Sequence, residues 1–490
     1  MIRTMNFKNF RTTGNRYIVS ALLLGGVMSG CKSDSDLYPV PTTSISDENV
    51  FDTPARIEGV VNGIYKSLKS ASLYGGRYLL YQDVRGEDFL NVTANSYTAY
   101  DSWNNSYLSG SNDINNLWSA AYTTINNANI LIDKLSAGTT VISEETAKAY
   151  IAEAKFLRAL SYFSLVTVFS QPYNKDQGAS PGLPLRLKAE VDANNNDLAR
   201  SSVAEVYSQI LSDLDAAEQD LPESYSTALL NTTRAHKNTA RALKTRVYLT
   251  INRFDKVIEE ARKIAPQTSA PFKAQQGVAH ELQADIQTVF GTNYTTTESI
   301  LSMPMTTTDA LSGQSAIGYI LNVNKEYYLN PSGILGDAQW GATDKRRNLL
   351  YTSANKQYLK KYAKASPYVD YIPVIRYAEV LLNYAEASAQ QGQLTLAASL
   401  LAAVHTRSDA SYSFPSAITS SQSALLDAIA RERRIELLGE GFRGHDLLRH
   451  LQDLPAKGDA SIQTPAVSVN AQNYIFPAPN TELATNKLFN

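Results

Sequence analysis

The chain has 490 residues, 45 Lys/Arg against 47 Asp/Glu, a formal net charge of −2, 43% hydrophobic residues and 19% charged residues. That length suggests two or three domains or one large solenoid-like body, and mild acidity makes nucleic-acid binding a poor reading. A single cysteine excludes a disulfide framework, while 29 Tyr against 14 Phe suit a surface that is both wet and adhesive.

The first thirty residues read as a targeting segment. Arg3, Lys8, Arg11 and Arg16 form a basic stretch without an acid, and Tyr17 to Met28 is an apolar run too short to span a bilayer. The run ends in Met-Ser-Gly-Cys, similar to a bacterial lipobox, which makes Cys31 the lipidated residue of the mature chain. Losing residues 1–30 removes four cations and no acid, so the formal charge goes from −2 to −2 − 4 = −6. The polar KSDSDLYP after it resembles the export tag of surface lipoproteins in Bacteroidota. The expected organisation is a signal peptide over 1–30, an anchor and tether over 31–50, and a body over 51–490.

The body opens on an insertion-like stretch, 74–112, rich in Tyr, Asn, Ser and Gly. Next comes a helix with Leu117, Ala121, Ile125, Ala128, Ile132 and Leu135 on one face, and Trp118 is assigned to its core side. Ala152 to Phe169 is a nearly continuous apolar helix, stopped by Gln171-Pro172. In SSVAEVYSQILSDLDAAEQDLP, Ser201 or Ser202 can cap, Glu205 sits where a capping-box acid belongs, and Pro222 ends the helix. Residues 235–251 and 254–265 read as a helix pair, as do 374–391 and 394–407. Such recurring pairs resemble tetratricopeptide repeats. The helical scaffold is placed mainly over 114–265 and 372–450. A second irregular insertion, 266–371, rich in Thr, Gly, Ser, Pro and aromatics, interrupts it.

The search for catalytic chemistry is largely negative. There is no G-x-S-x-G elbow and no P-loop. The histidines, His236, His280, His405, His445 and His450, make no H-E-x-x-H, and His445 and His450 point to different sides of a helix. Asp192, Asn194 and Asn196 have the opening rhythm of a calcium loop, but Asp197 stands where its turn needs Gly and Val203 where it needs a bidentate Glu. No cofactor and no metal are expected. The densest charge lies in RERRIELLGEGFRGHDLLRH, from Arg431 to His450. Arginines and carboxylates alternate there, so the stretch reads as self-paired scaffold rather than an active site.

The positive signal is aromatic. Tyr74, Tyr78, Tyr81, Phe89, Tyr97, Tyr100, Trp103 and Tyr107 crowd the first insertion, with Asp83, Arg85, Glu87, Asp88 and Asn104 among them. Flat faces beside polar forks suit a glycan or a peptide. About half of these aromatics are expected to be structural. The candidate ligand-binding residues are Asp83, Arg85, Tyr97, Tyr100, Trp103 and Asn104 from the first insertion, with Tyr327, Trp340 and Arg347 from the second.

In order along the chain, DLYPVPTTSISDENVFDTP, NLWSAAYTTINNANILIDKL, AEAKFLRALSYFSLVTVF, IRYAEVLLNYAEA and RERRIELLGEGFRGHDLLR resemble the SusD/RagB-like outer-membrane lipoproteins. The resemblance covers nearly all of the mature chain, and the last two blocks at their spacing are its most specific part. It implies a mostly α fold: a tetratricopeptide-like helix-pair superhelix with a large, loop-rich ligand-binding half. It also implies a non-enzymatic, lipid-anchored protein on the extracellular side of the outer membrane. Such a protein captures oligosaccharide or polysaccharide and delivers it to a SusC-like TonB-dependent transporter. A peptide-binding member of the same type is the alternative, as is a helical-repeat adaptor for other proteins. Ligand loops vary in the family, so the site residues rest on the two aromatic insertions alone.

Overall fold

A computed structural model describes residues 49–192, 196–291 and 293–489. The chain divides into two compact units, Met1–Ile57 and Glu58–Asn490, and the second carries the helical scaffold and every strand among the described residues. The targeting segment and Cys31 lie outside the described residues.

The scaffold is helical and follows the apolar periodicity. After a short helix α1 (Arg77–Asp83), α2 (Asn112–Ser136) buries the expected stripe together with Trp118. Helix α3 (Glu144–Phe169) has Ser143 as its cap, and every residue from Ala152 to Phe169 except Lys155 is buried, as its unbroken apolar run requires. Helix α4 (Val203–Asp220) carries the capping box: the Glu205 N–H donates to Ser202 Oγ at 3.2 Å, and the Ser202 N–H donates to the Glu205 carboxylate at 2.7 Å. Two helix pairs come next, α5 (Lys237–Thr250) with α6 (Phe254–Ile264), and α7 (Tyr377–Gln390) with α8 (Leu394–Ser408). Connections of three residues leave each pair only an antiparallel course. Helices α9 (Gln422–Glu436) and α10 (Arg443–Arg449) close the scaffold, α9 packing on α7 and α8.

Buried ion pairs fix these helices to one another. Arg158 of α3 grips Asp213 of α4 through two bonds of 2.8 and 2.7 Å, and Arg246 of α5 grips Glu379 of α7 at 2.5 and 2.6 Å. Buried charges of this kind specify which surfaces meet, because either partner alone would be strongly unfavourable.

The expected helix over 374–391 begins only at Tyr377. The preceding Ile372–Arg376 forms strand β6 instead, paired antiparallel with β2 (Ser299–Met303). Its Ile, Val and Ile side chains suit a fully buried strand better than a helix start. The other strands are short. β1 (Phe89–Asn91) pairs with β3 (Tyr327–Leu329), Leu90 lying opposite Tyr328. β4 (Leu350–Ser353) and β5 (Lys356–Leu359) form a hairpin through Ala354 and Asn355, both at positive φ, the geometry a two-residue turn demands. β7 (Lys457–Gly458) pairs with β8 (Gln463–Thr464).

The charged stretch around α9 and α10 is scaffold in this structure; Arg433 and Arg449 pair with Asp446 inside the stretch as expected, but its glutamates find their partners outside it. Glu436 accepts from Arg376 at 3.0 Å, Arg407 at 2.6 Å and Arg346 at 3.2 Å. Glu440 accepts from Arg376 at 2.6 and 2.8 Å and from Lys361 at 2.6 Å. Glu298 completes the knot with Arg376 at 2.5 Å and Arg407 at 3.0 Å. Most partners therefore come from the second insertion, β6 and α8, at distances along the chain where a local pattern carries no information. Burial would raise the Glu436 carboxyl, but Arg407, Arg376 and Arg346 hold it far below the usual carboxylate range. Gly441, at φ +84°, passes so close to α1 that a Cβ would lie 2.8 Å from Leu79 Cα.

Candidate ligand-binding face

The two aromatic insertions do meet, through β1 and β3, but most of their aromatics are spent on the core. Of the eight in the first insertion, Tyr74, Tyr78, Tyr81, Phe89, Trp103 and Tyr107 are buried; Tyr97 is 57% exposed and Tyr100 half-buried. The expectation that half would be structural is exceeded. Trp103 has no exposed surface, and its indole N–H donates to the Phe89 carbonyl at 2.8 Å. It therefore supports the loop from below rather than facing a ligand, and Tyr100 stacks on it with centroids 6.0 Å apart.

Other candidates are similarly internal. Asp83 is buried and accepts three backbone N–H groups, from Gly441 and Phe442 at 2.9 Å and Arg443 at 3.1 Å, tying α1 to the charged stretch. Burial pushes its carboxyl up to about 7 against those three donors. Arg85 is fully buried, with its guanidinium beside the contacting Tyr107 and Phe476 rings, and donates to the Tyr474 carbonyl. Tyr327 is buried, and its hydroxyl donates to the Thr98 carbonyl at 2.7 Å. Trp340 is 3% exposed beneath the Arg347 guanidinium, 4.5 Å from the ring centre. Arg347 also donates to the Trp340 and Gly341 carbonyls. Trp340 and Arg347 pack in the segment where Asp337 meets Arg431 of α9 and Arg346 meets Glu432, apart from the Tyr97 loop. Burial thus removes Asp83, Arg85, Trp103, Tyr327 and Trp340 from direct ligand contact in this conformation.

Tyr97, Tyr100 and Asn104 remain at the surface, on a loop that is held unusually firmly. Glu326, with no exposed surface, accepts hydrogen bonds from Thr93 Oγ1 at 2.9 Å, from Thr98 Oγ1 and from Asn324 at 2.8 Å. A buried carboxylate satisfied by neutral donors is a strong local anchor, since releasing any donor leaves a desolvated charge short of a partner. The Asn104 carboxamide oxygen accepts from Thr464 Oγ1 of β8 at 2.8 Å, and the Tyr328 hydroxyl donates to Asp459 in the β7–β8 turn at 2.7 Å. Tyr328 lies beside Tyr358 of β5, centroids 6.4 Å apart, and Tyr358 is stacked 5.5 Å from Tyr351 of β4. Lys325 donates to Ser353 Oγ at 2.8 Å and Lys356 sits 4.1 Å above the Tyr328 ring. Loop 92–104, β3, the β4–β5 hairpin and the β7–β8 hairpin therefore form one hydrogen-bonded platform carrying Tyr97, Tyr100 and Tyr351 at or near its surface. The hairpin contribution was not among the candidates. Its signal was present in Tyr351 and Tyr358 flanking a two-residue turn, but nothing in that pattern names the loop it folds against.

Beside the charged stretch lies a cavity of about 250 Å³ lined in part by Arg433, Arg434, Arg443, Arg449, Glu386 and Asp446. These arginines already hold carboxylates: Arg434 holds Asp88, Arg443 holds Glu87, Arg449 holds Glu386, and Arg433 and Arg449 share Asp446. Among the described residues no cluster of three or more His, Cys, Asp or Glu side chains is placed to hold a metal ion.

Two sequence models of one family match the chain. The first, described as starch-binding and associating with the outer membrane, covers residues 31–249; the second, the SusD family, covers residues 169–488. The chain belongs to the SusD family. A SusD superfamily protein from Bacteroides fragilis superimposes with a TM-score of 0.82 at 31% identity, covering 90% of this chain and all of that one. SusD-like protein P2 of Formosa agariphila is 27% identical across 96% of this chain and 98% of its own length. A surface glycan-binding protein A from Bacteroides thetaiotaomicron, solved in complex with laminarihexaose, shares the fold with a TM-score of 0.70 at 18% identity, over 89% of this chain and 98% of that one. The mostly α, helix-pair architecture is thus that of the family, which is one of carbohydrate-binding proteins associated with the outer membrane. Among the described residues of this SusD-family chain, no helix is long and apolar enough to cross a membrane.

Proposed function

We propose that this chain is a surface glycan-binding lipoprotein that captures oligosaccharide and passes it, without cleaving it, to a SusC-like TonB-dependent transporter. The observation that carries the reading is the platform itself. Tyr97, 57% exposed, is the most exposed ring of a loop anchored by the buried Glu326 and by the Tyr327 hydroxyl. Rigid aromatic rings beside amide and hydroxyl groups bind sugar rings with little ordering cost. The glycan complex of the structurally similar protein from Bacteroides thetaiotaomicron supports the same reading.

The anchor belongs to the same proposal. Acylation at Cys31 would hold the protein on the outer membrane, facing outward, and keep it concentrated beside a barrel partner, so that moderate affinity is sufficient for capture. A Cys31→Ser variant is expected to lose lipid labelling and leave the membrane fraction.

The binding test is a panel of soluble glycans run by affinity electrophoresis and calorimetry, with product analysis after long incubation. Saturable binding without new reducing ends is the expected result. Binding of peptide mixtures in place of every glycan would replace the ligand class, and sustained product release would overturn the non-catalytic reading.

A further inference from the structure

The charge on the platform points to a narrower ligand class. Residues 325–364 contain eight Lys/Arg and three Asp/Glu in a chain of net charge −2; Arg346 and Lys361 are spent in the buried knot and Arg347 packs on Trp340, which leaves the lysines Lys325, Lys345, Lys356, Lys360 and Lys364. The three acids are already engaged. Glu326 is buried among Thr93, Thr98 and Asn324; Asp337 pairs with Arg431 at 3.0 Å; and Asp344 pairs with Arg346 at 2.6 Å.

The lysines are not engaged in the same way. Lys325, Lys345, Lys356 and Lys360 form no ion pair among the described residues, whereas the cations of the scaffold, such as Arg158, Lys244, Arg246 and Arg376, are each held by carboxylates. Lys325 and Lys356 are also placed rather than trailing. The Lys356 ammonium lies 4.1 Å over the Tyr328 ring and that of Lys325 lies 5.9 Å from the Tyr358 centroid while donating to Ser353. A ring face and one hydroxyl orient these ammonium groups and leave further N–H donors on each. Asp459, the acid nearest Tyr328, is itself occupied by the Tyr328 hydroxyl and by Ser461. Asp101 remains as a carboxylate on the Tyr100–Trp103 turn.

We infer that the platform takes an anionic glycan, one bearing carboxylate or sulfate groups, with Lys325 and Lys356 receiving the charge and Tyr97, Tyr100 and Tyr351 the sugar faces. The inference rests on the glycan-binding reading above. A neutral glycan would leave two tyrosine faces covered by ammonium groups to no purpose, while an anion beside them gains charge-assisted hydrogen bonds on a partly dry surface.

The test uses the wild-type chain with polygalacturonate and chondroitin sulfate as carboxylate and sulfate probes, and laminarin and amylose as neutral ones, at low and high NaCl. At least one anionic probe is expected to bind more tightly than both neutral ones, with affinity falling as salt rises; the two arms decide between carboxylate and sulfate. The K325Q/K356Q double variant should weaken that binding by about tenfold or more, equivalent to about 1.4 kcal/mol. K325R/K356R should retain it, and K134Q/K188Q, on exposed lysines elsewhere, should not change it. Equal or tighter binding of laminarin or amylose, insensitive to K325Q/K356Q, would overturn the inference and leave the glycan-binding reading standing. An equal loss in K134Q/K188Q would also overturn it, by reducing the effect to overall charge. Failure of all four probes and of every glycan in the wider panel would bring down the glycan-binding reading, and this inference with it.

Discussion

The Arg431–His450 stretch and the Tyr97–Tyr351 platform are both dense in groups that bind ligands elsewhere, yet they end up in opposite states. In the first, Glu432, Glu436 and Glu440 are buried and each is held by arginine or lysine from another segment. In the second, buried bonds hold the backbone, Tyr97 is exposed, and the ammonium groups of Lys325 and Lys356 make no ion pair, being held only by Ser353 and by tyrosine ring faces. Density of functional groups is therefore a poor guide to a binding site. What separates the two is whether the partners of those groups are supplied by the chain itself.

The largest effect expected from breaking this contrast is in the charged knot. Glu436→Gln leaves Arg376, Arg407 and Arg346 short of a shared counter-charge in a buried site, a change that costs about 3–5 kcal/mol. Urea denaturation should show the midpoint falling at constant slope, with ligand affinity of the folded fraction unchanged. Trp103→Ala should be nearly as severe for stability, about 3–5 kcal/mol, because it empties a site with no exposed surface. The same measurement on Tyr97→Ala should move stability by only about 0.5 kcal/mol, as for other exposed side chains. Its binding, measured alongside, should fall by about tenfold.

A smaller effect concerns pH. His236 and His280 are stacked at 5.2 Å; burial, and for His236 also the neighbouring His280, holds them down to about 3 and about 4. A histidine whose folded value is depressed binds fewer protons folded than unfolded between that value and about 6.5, so its contribution declines as pH falls through that window. The strongly held carboxylates Glu436 and Glu440 add to acid sensitivity below their ordinary range. Asp83 and Asp113, both pushed up to about 7 by burial, act in the opposite sense, favouring the fold as pH falls from 7 towards 4. With two raised carboxyls set against two depressed imidazoles, the unfolding midpoint should change little from pH 7 to 5 and fall steeply below 4. Replacing His280 by Gln should raise the midpoint at pH 5 relative to that at pH 7.

The scaffold was readable because its information is local. The stripe from Leu117 to Leu135, the Ser202–Glu205 capping box and the short breaks between paired helices are short-range patterns, and each forms, the breaks one residue longer than expected. The site was readable only in part. Aromatic crowding located the right loop, but composition does not distinguish a ring that fills a core from one that displays its face. Trp103 and Tyr97 are six residues apart on that loop, one with no exposed surface and the other 57% exposed. The decision is made by contacts with Phe89, Thr98 and Glu326, the last more than two hundred residues away. The β4–β5 hairpin and Lys325 enter the platform by the same kind of distant pairing, which no window along the sequence reveals.

The central claim is that ligand meets the tyrosine platform and not the arginine-rich cavity beside α10. Hydrogen exchange with and without a bound glycan from the panel tests it most directly. Added protection should appear across residues 92–104, 325–329 and 350–359, with α9 and α10 unchanged. Protection confined to residues 430–452, with the tyrosine loop and the β4–β5 hairpin unaffected, would contradict the account.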